Sequence, residues 1–154
     1  MIMAALNPFD IRQALLAKHA QHVVLIHFPI ALFMAGAAFD FLAHWTKRPT
    51  FAAAAYYNLA AAALFTVPVI ATGLLAWQLQ LEGQKLEGIL LEHLVLGIAS
   101  GVLICLMWWF HVRARRAGID RIPELRLATE AAVGVVVAAT AHLGGFLSGV
   151  NLPG

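Results

Sequence analysis

Hydrophobic positions in this chain gather into four long runs, roughly residues 23–44, 51–77, 88–110 and 127–150, separated by short polar stretches. About 20 apolar residues at about 1.5 Å of rise each are needed to cross a hydrocarbon layer of about 30 Å. Each run meets that length, so the pattern predicts four membrane-crossing helices. The links are short: Trp45 to Thr50, Gln78 to Glu87, and the basic stretch His111 to Arg126. Short links make consecutive helices antiparallel neighbours, which gives an all-α, up-down-up-down four-helix bundle. Ahead of the first run, Asn7-Pro8-Phe9-Asp10 reads as a helix start, with Asn7 as cap and Pro8 at the first helical position. Ile11, Leu15 and Leu16 then share one side, as in a short helix lying in the membrane interface. Residues 1–154 read as a single membrane domain without repeats, linkers or low-complexity tracts.

Composition supports a lipid environment, because 62% hydrophobic and 12% charged residues leave too little polar surface for a water-soluble protein of 154 residues. A formal charge of +2 carries no sign of a nucleic-acid partner. The single cysteine, Cys105, excludes an intrachain disulfide, and covalent haem attachment through a C-x-x-C-H motif is excluded as well. No basic segment precedes the first apolar stretch and no small-residue cleavage site follows it, so no removable signal peptide is expected. Lys47, Arg48, Arg113, Arg115, Arg116, Arg121 and Arg126 fall at one end of the bundle, against Arg12, Lys18 and Lys85 at the other. That asymmetry predicts a cytoplasmic basic end, with both termini on the periplasmic side of a bacterial inner membrane. Trp45, Trp108, Trp109, Tyr56 and Tyr57 near the basic end, with Trp77 at the opposite boundary, match interfacial aromatic belts.

Helical depth brings the histidines to the same end. His27 lies about five residues into the first run, His93 about five into the third and His142 about eight from the end of the fourth, so all three sit roughly 8–12 Å below one boundary. His22 opens the first run, and His19 precedes it. Thr72, Gly73 and Trp77 arrive at the same end, where Gly73 has no side chain to keep a flat ligand from the backbone. Gly144-Gly145 follow His142 in the fourth run. At the basic end, Asp40 with His44 and Arg126 with Glu130 are i,i+4 pairs that read as local ion pairs. His44 and His111 beside Trp and basic residues read as solvated interfacial side chains. A second haem between them is disfavoured because residues 27 and 44 point about 100° apart. Gly97-x-x-x-Gly101 and Gly134-x-x-x-Ala138 are small-residue steps for close helix packing.

The most specific string is His22-Val-Val-Leu-Ile-His27-Phe-Pro-Ile-Ala-Leu32. It resembles the H-P-x-x-V-H-F-P-I-A-L opening of a family of small four-helix bacterial membrane proteins, DUF2231. The likeness extends to Asp40, Gly73, His93 and the ending Ala141-His142-Leu-Gly-Gly-Phe-Leu-Ser-Gly-Val150. Val23 stands where the family has proline, and the tyrosine and basic-histidine element of the usual ending is missing. The resemblance implies the four-helix fold but no established reaction. Such proteins can be joined to Rieske or cytochrome-type domains, which implies an association with electron transfer.

Two imidazoles on facing helices at equal depth can ligate a b-type haem without covalent attachment. His27 and His93 are the preferred pair, with His142 or His22 as alternative ligands or contacts to a propionate or quinone. Two other readings stand beside it. The imidazoles could bond backbone carbonyls, including that of Leu25, whose amide partner is removed by Pro29. They could also hold zinc or copper, although His22 and His27, about 140° apart on one helix, cannot chelate together unless the helix breaks. With no acid–base pair, nucleophile or phosphate loop, the expected role is an electron-transfer protein or subunit, exchanging with quinol or a cytochrome or Rieske partner. The alternative is a non-redox structural subunit of a larger membrane complex.

Overall fold

The computed structural model describes residues 20–119 and 123–149. The expected interfacial helix from Asn7, and also His19, Arg121 and Val150, lie outside the described residues. The described chain is helical, without strands, and forms α1 (Ala20–Leu25), α2 (His27–Thr46), α3 (Pro49–Gln80), α4 (Gly88–Arg116) and α5 (Glu124–Leu147). α1 and α2 together form the first crossing, Gln21–Thr46, and the other three crossings are α3, α4 and α5. Each crossing packs on the next, and α5 closes the ring against α2. The fold is the expected all-α membrane bundle.

The helices outrun the apolar runs. α4 continues to Arg116 and α5 begins at Glu124, so much of the basic stretch expected as a link is helical. Hydropathy marks the part of a helix in hydrocarbon. The backbone goes on bonding to itself through the interface, where charged side chains meet water.

The first crossing breaks at Ile26 because Pro29 has no N–H to give the Leu25 carbonyl. The next bond, from Ile30 N–H to Ile26 O, is long at 3.4 Å. The connection to α3 is set by Lys47-Arg48-Pro49. Lys47 takes a left-handed conformation (φ 56°) and its N–H caps Ala43 O. Arg48 is extended, as a residue before proline must be, and Pro49 opens α3 where no N–H is needed. Gly118 (φ 65°) ends α4 in the same manner, while the N–H of Ile119 reaches back to Ala114 O.

The centre of the bundle is apolar, with Phe33, Leu59, Ala62, Ile104, Met107, Val133 and Val137 in contact. Leu64, Val67, Val102 and Val135 face outward and are exposed, as lipid-facing side chains should be. Trp45, Tyr57 and Trp109 stand exposed near the basic end, where Arg113 lies over the Trp109 ring and Arg115 over Tyr56. At the other boundary Trp77 donates its indole N–H to Gln84 O at 2.9 Å. The small-residue step in α4 works as expected: a Cβ at Gly101 would come within 3.0 Å of Ile70 on α3.

Gly36 gives the tightest helix approach in the core. A Cβ there would lie 2.8 Å from Leu59 Cγ, with the Ala55 carbonyl 3.4 Å behind, and Leu59 is wholly buried. Gly36→Val should therefore lower the unfolding free energy in mixed micelles by about 1–3 kcal/mol. An unchanged denaturation midpoint would show that α2 and α3 do not meet at this residue.

Candidate functional site

The described residues of the bundle hold a polar cluster towards each end of the crossings. At the end away from the basic residues, His22 of α1 and His93 of α4 face one another, ring centroids 6.5 Å apart and planes at 82°. Each ring lies against a glycine of the following crossing. A Cβ at Gly73 would sit 2.9 Å from His22 Cε1, and one at Gly144 would sit 3.0 Å from His93 Cε1. The space freed by Gly73 is thus filled by an imidazole of the protein itself.

Hydrogen bonds fix which ring nitrogen carries the proton. His93 Nδ1 is 3.1 Å from Thr140 O, an acceptor only, so Nδ1 bears hydrogen and Nε2 carries the lone pair in the neutral ring. His22 Nδ1 is 3.3 Å from Thr72 Oγ1. That hydroxyl gives its own hydrogen to the Pro68 or Val69 carbonyl, at 2.8 and 3.1 Å, and accepts from His22. Both rings therefore share the tautomer in which Nε2 is the basic atom. A metal-binding histidine is oriented in the same way, through a bond from its other nitrogen.

The two rings border a cavity of about 90 Å³, otherwise lined mainly by apolar side chains such as Ile30, Val69, Ile70 and Val137. Below them, Ser100 and Thr140 share a hydroxyl–hydroxyl bond of 2.9 Å between α4 and α5. Neither His27 nor His142 lines this cavity, and both are exposed. His27 Nδ1 turns back onto Val23 O at 2.7 Å, in the unit-turn of chain just before the proline break. His142 packs edge-on against Phe146. The structure thus brings together His22, His93 and Gly73, and leaves His27 and His142 outside.

The second cluster is buried near the basic end, and it departs from the sequence expectation. Asp40, His111 and Glu130 come from three crossings and are 0%, 5% and 0% exposed. His111 is not a solvated interfacial side chain: Nδ1 donates to Met107 O at 2.8 Å and Nε2 meets Asp40 Oδ2 at 2.5 Å. Arg126 Nη2 donates to the same Oδ2 at 3.1 Å. Asp40 therefore bonds across the bundle, beyond the local pairing expected along its own helix. The expected Arg126–Glu130 pair is present but loose, with Nε 3.7 Å from Oε1. Glu130 Oε1 is also 3.5 Å from His111 Nε2. One ligating atom each from Asp40, His111 and Glu130 lie within 4.8 Å of one another.

Residues 18–150 match the family model described as "Predicted membrane protein (DUF2231)". No curated protein and no solved structure matches the chain.

Asp40 is the hub of the second cluster, since both Arg126 and His111 bond to it. Asp40→Ala would strand a buried guanidinium and an imidazole without their carboxylate, and truncating one partner of such a pair costs about 3–5 kcal/mol. A matching drop in unfolding free energy in micelles is expected, whereas a change below about 1 kcal/mol, the range of solvated ion pairs, would mean that the cluster is open to water.

Proposed function

Starting from a chain that belongs to the DUF2231 family of predicted membrane proteins, we propose that His22 and His93 are the ligand pair of a metal centre in a membrane-integral electron-transfer protein or subunit. The observation that carries this reading is the facing imidazole pair from two crossings, each with Nδ1 engaged by a neighbouring helix. Two metal–nitrogen bonds of about 2.0–2.1 Å and two ring half-widths would separate the centroids of an opposed pair by about 6 Å. The centroids stand at 6.5 Å.

On ligand chemistry haem b is one candidate for that centre, with His22 in place of His27. The apolar lining suits a macrocycle, and the Thr140 carbonyl and Thr72 hydroxyl would strengthen the ligands by hydrogen bonding. A b-type haem supplies one-electron transfer when bound. The volume does not yet fit it. A cavity of about 90 Å³ is well below the about 300–1,000 Å³ of sites for drug-sized ligands, so haem binding requires the crossings to part. The same volume favours a second reading, a bare copper or zinc ion on the two imidazoles.

The setting proposed is a bacterial inner membrane with the basic end in the cytoplasm, which puts the imidazole pair on the periplasmic side. Quinol, or a cytochrome or Rieske domain, would then exchange electrons from that side. The different-class alternative is a non-redox subunit whose imidazoles only join helices.

Purified protein, expressed with haem supply, decides among these by its visible spectrum and metal content. A reducible Soret and α band, lost in His22→Ala and in His93→Ala but kept in His27→Ala, is the expected result. A colourless protein with stoichiometric copper or zinc, lost in the same two variants, moves the assignment to the bare ion. A colourless, metal-free and folded protein overturns both and leaves the structural subunit.

A further inference from the structure

The cluster near the basic end has no part in that reading, and its hydrogen bonds allow its protons to be counted. Met107 O accepts from His111 Nδ1, so that nitrogen carries a hydrogen. One proton must also lie between His111 Nε2 and Asp40 Oδ2, since the two atoms are in hydrogen-bond contact at 2.5 Å. That proton and the charge of Arg126 together balance two carboxylates. With Glu130 ionised the cluster is neutral.

Neutrality leaves Glu130 poorly held. Among the described residues no N–H group bonds either of its oxygens or Asp40 Oδ1, although both side chains are fully buried. The nearest donors to Oε1 stand at 3.5 Å (His111 Nε2) and 3.7 Å (Arg126 Nε). A buried carboxylate without donors is costly. Protonating Glu130 turns it into a donor beside a carboxylate that lacks one, at the cost of one net positive charge. Each protonation state carries a single penalty, so neither excludes the other.

Other groups do not remove the balance. The first crossing contributes Asp40, with His44 one turn further on, α4 contributes His111 and α5 contributes Arg126. α3 contains no Asp, Glu, Lys, Arg or His between Pro49 and Gln80, and its only titratable side chains are Tyr56 and Tyr57 beneath Arg115. A divalent metal ion is the other way to satisfy the orphaned oxygens. It would add two charges beside the Arg126 guanidinium and displace the proton between His111 and Asp40, so the donor set favours a proton. Access is short: Glu130 lies six residues from the start of α5, about 9 Å, and Arg126, with its side chain 16% exposed, lies towards that start.

We propose that Asp40, His111, Arg126 and Glu130 form a proton-exchange site in which the Glu130 carboxyl takes a proton from, and returns it to, water at the basic end of the bundle. The site stands independently of any metal centre at the other end.

Infrared difference spectra of the full-length protein in lipid nanodiscs, recorded across pH with and without ¹³C-labelled glutamate, test this. The expected result is a carboxylic-acid C=O band that grows as pH falls, shifts with the label and disappears in Glu130→Gln. Labelling assigns the band to glutamate, and the C=O frequency of a dry site sets Glu130 apart from the exposed Glu82, Glu87, Glu92 and Glu124, so the test survives a variant that fails to fold. His111→Gln should move the pH midpoint of the band. The proposal is overturned by a labelled band that never changes with pH, by a titration that persists in folded Glu130→Gln, or by a stoichiometric metal whose removal alone makes the band appear.

Discussion

Inside hydrocarbon a polar side chain must find its partner within the protein, and the bond from Asp40 to His111 and Arg126 is where this constraint shapes the bundle most. It ties the first crossing to the third and the fourth at one depth. The first and third connections, at the basic end, join only neighbouring helices. The buried pair also sets which faces turn inward, because a carboxylate, an imidazole and a guanidinium cannot be rotated towards lipid without losing one another. The apolar core then follows on the same faces, with Phe33 seven residues before Asp40 and Met107 one turn before His111.

At the opposite end the histidines are accommodated differently. His22 and His93 are held by hydrogen bonds from Nδ1 and by the absence of a side chain at Gly73 and Gly144. A glycine opposite an imidazole keeps the ring close to a neighbouring backbone and limits its rotation. The rings are therefore oriented with little polar surface spent on them.

Much of this was open to reading, and the misses have a common cause. Crossings, topology and belts follow from apolar length and interfacial aromatics, which depend on the bilayer and tolerate errors of several residues. Site geometry depends on helical phase, which does not. His22 and Asp40, His93 and His111, and Arg126 and Gly144 are each 18 residues apart, five turns of an ideal helix, so the two clusters share one inward stripe on three crossings. That spacing was visible for His93 and His111. It was hidden in the first crossing by taking His27, in place of His22, as the reference for depth. His27 Nδ1 lies on Val23 O, one turn back, and periodicity carried through a proline-containing segment cannot show this. Trp and Arg neighbours in sequence make His111 look solvated, although its own helical face is the buried one.

The common stripe invites the idea that the two clusters act together, and the core between them limits how. Eighteen residues correspond to about 27 Å. Polar contacts descend from the imidazoles through Thr140 to Ser100. From there to His111 the core is filled by the apolar side chains of Ile104, Met107, Phe33, Val133 and Val137. Apolar side chains carry no protons, so the influence of one cluster on the other across this stretch is electrostatic. For unit charges about 27 Å apart that amounts to about 0.6 kcal/mol at an effective dielectric of about 20. Such an influence is too weak to switch either cluster. Each one answers first to the membrane surface nearest to it, and a change of charge at one end leaves the chemistry of the other largely its own.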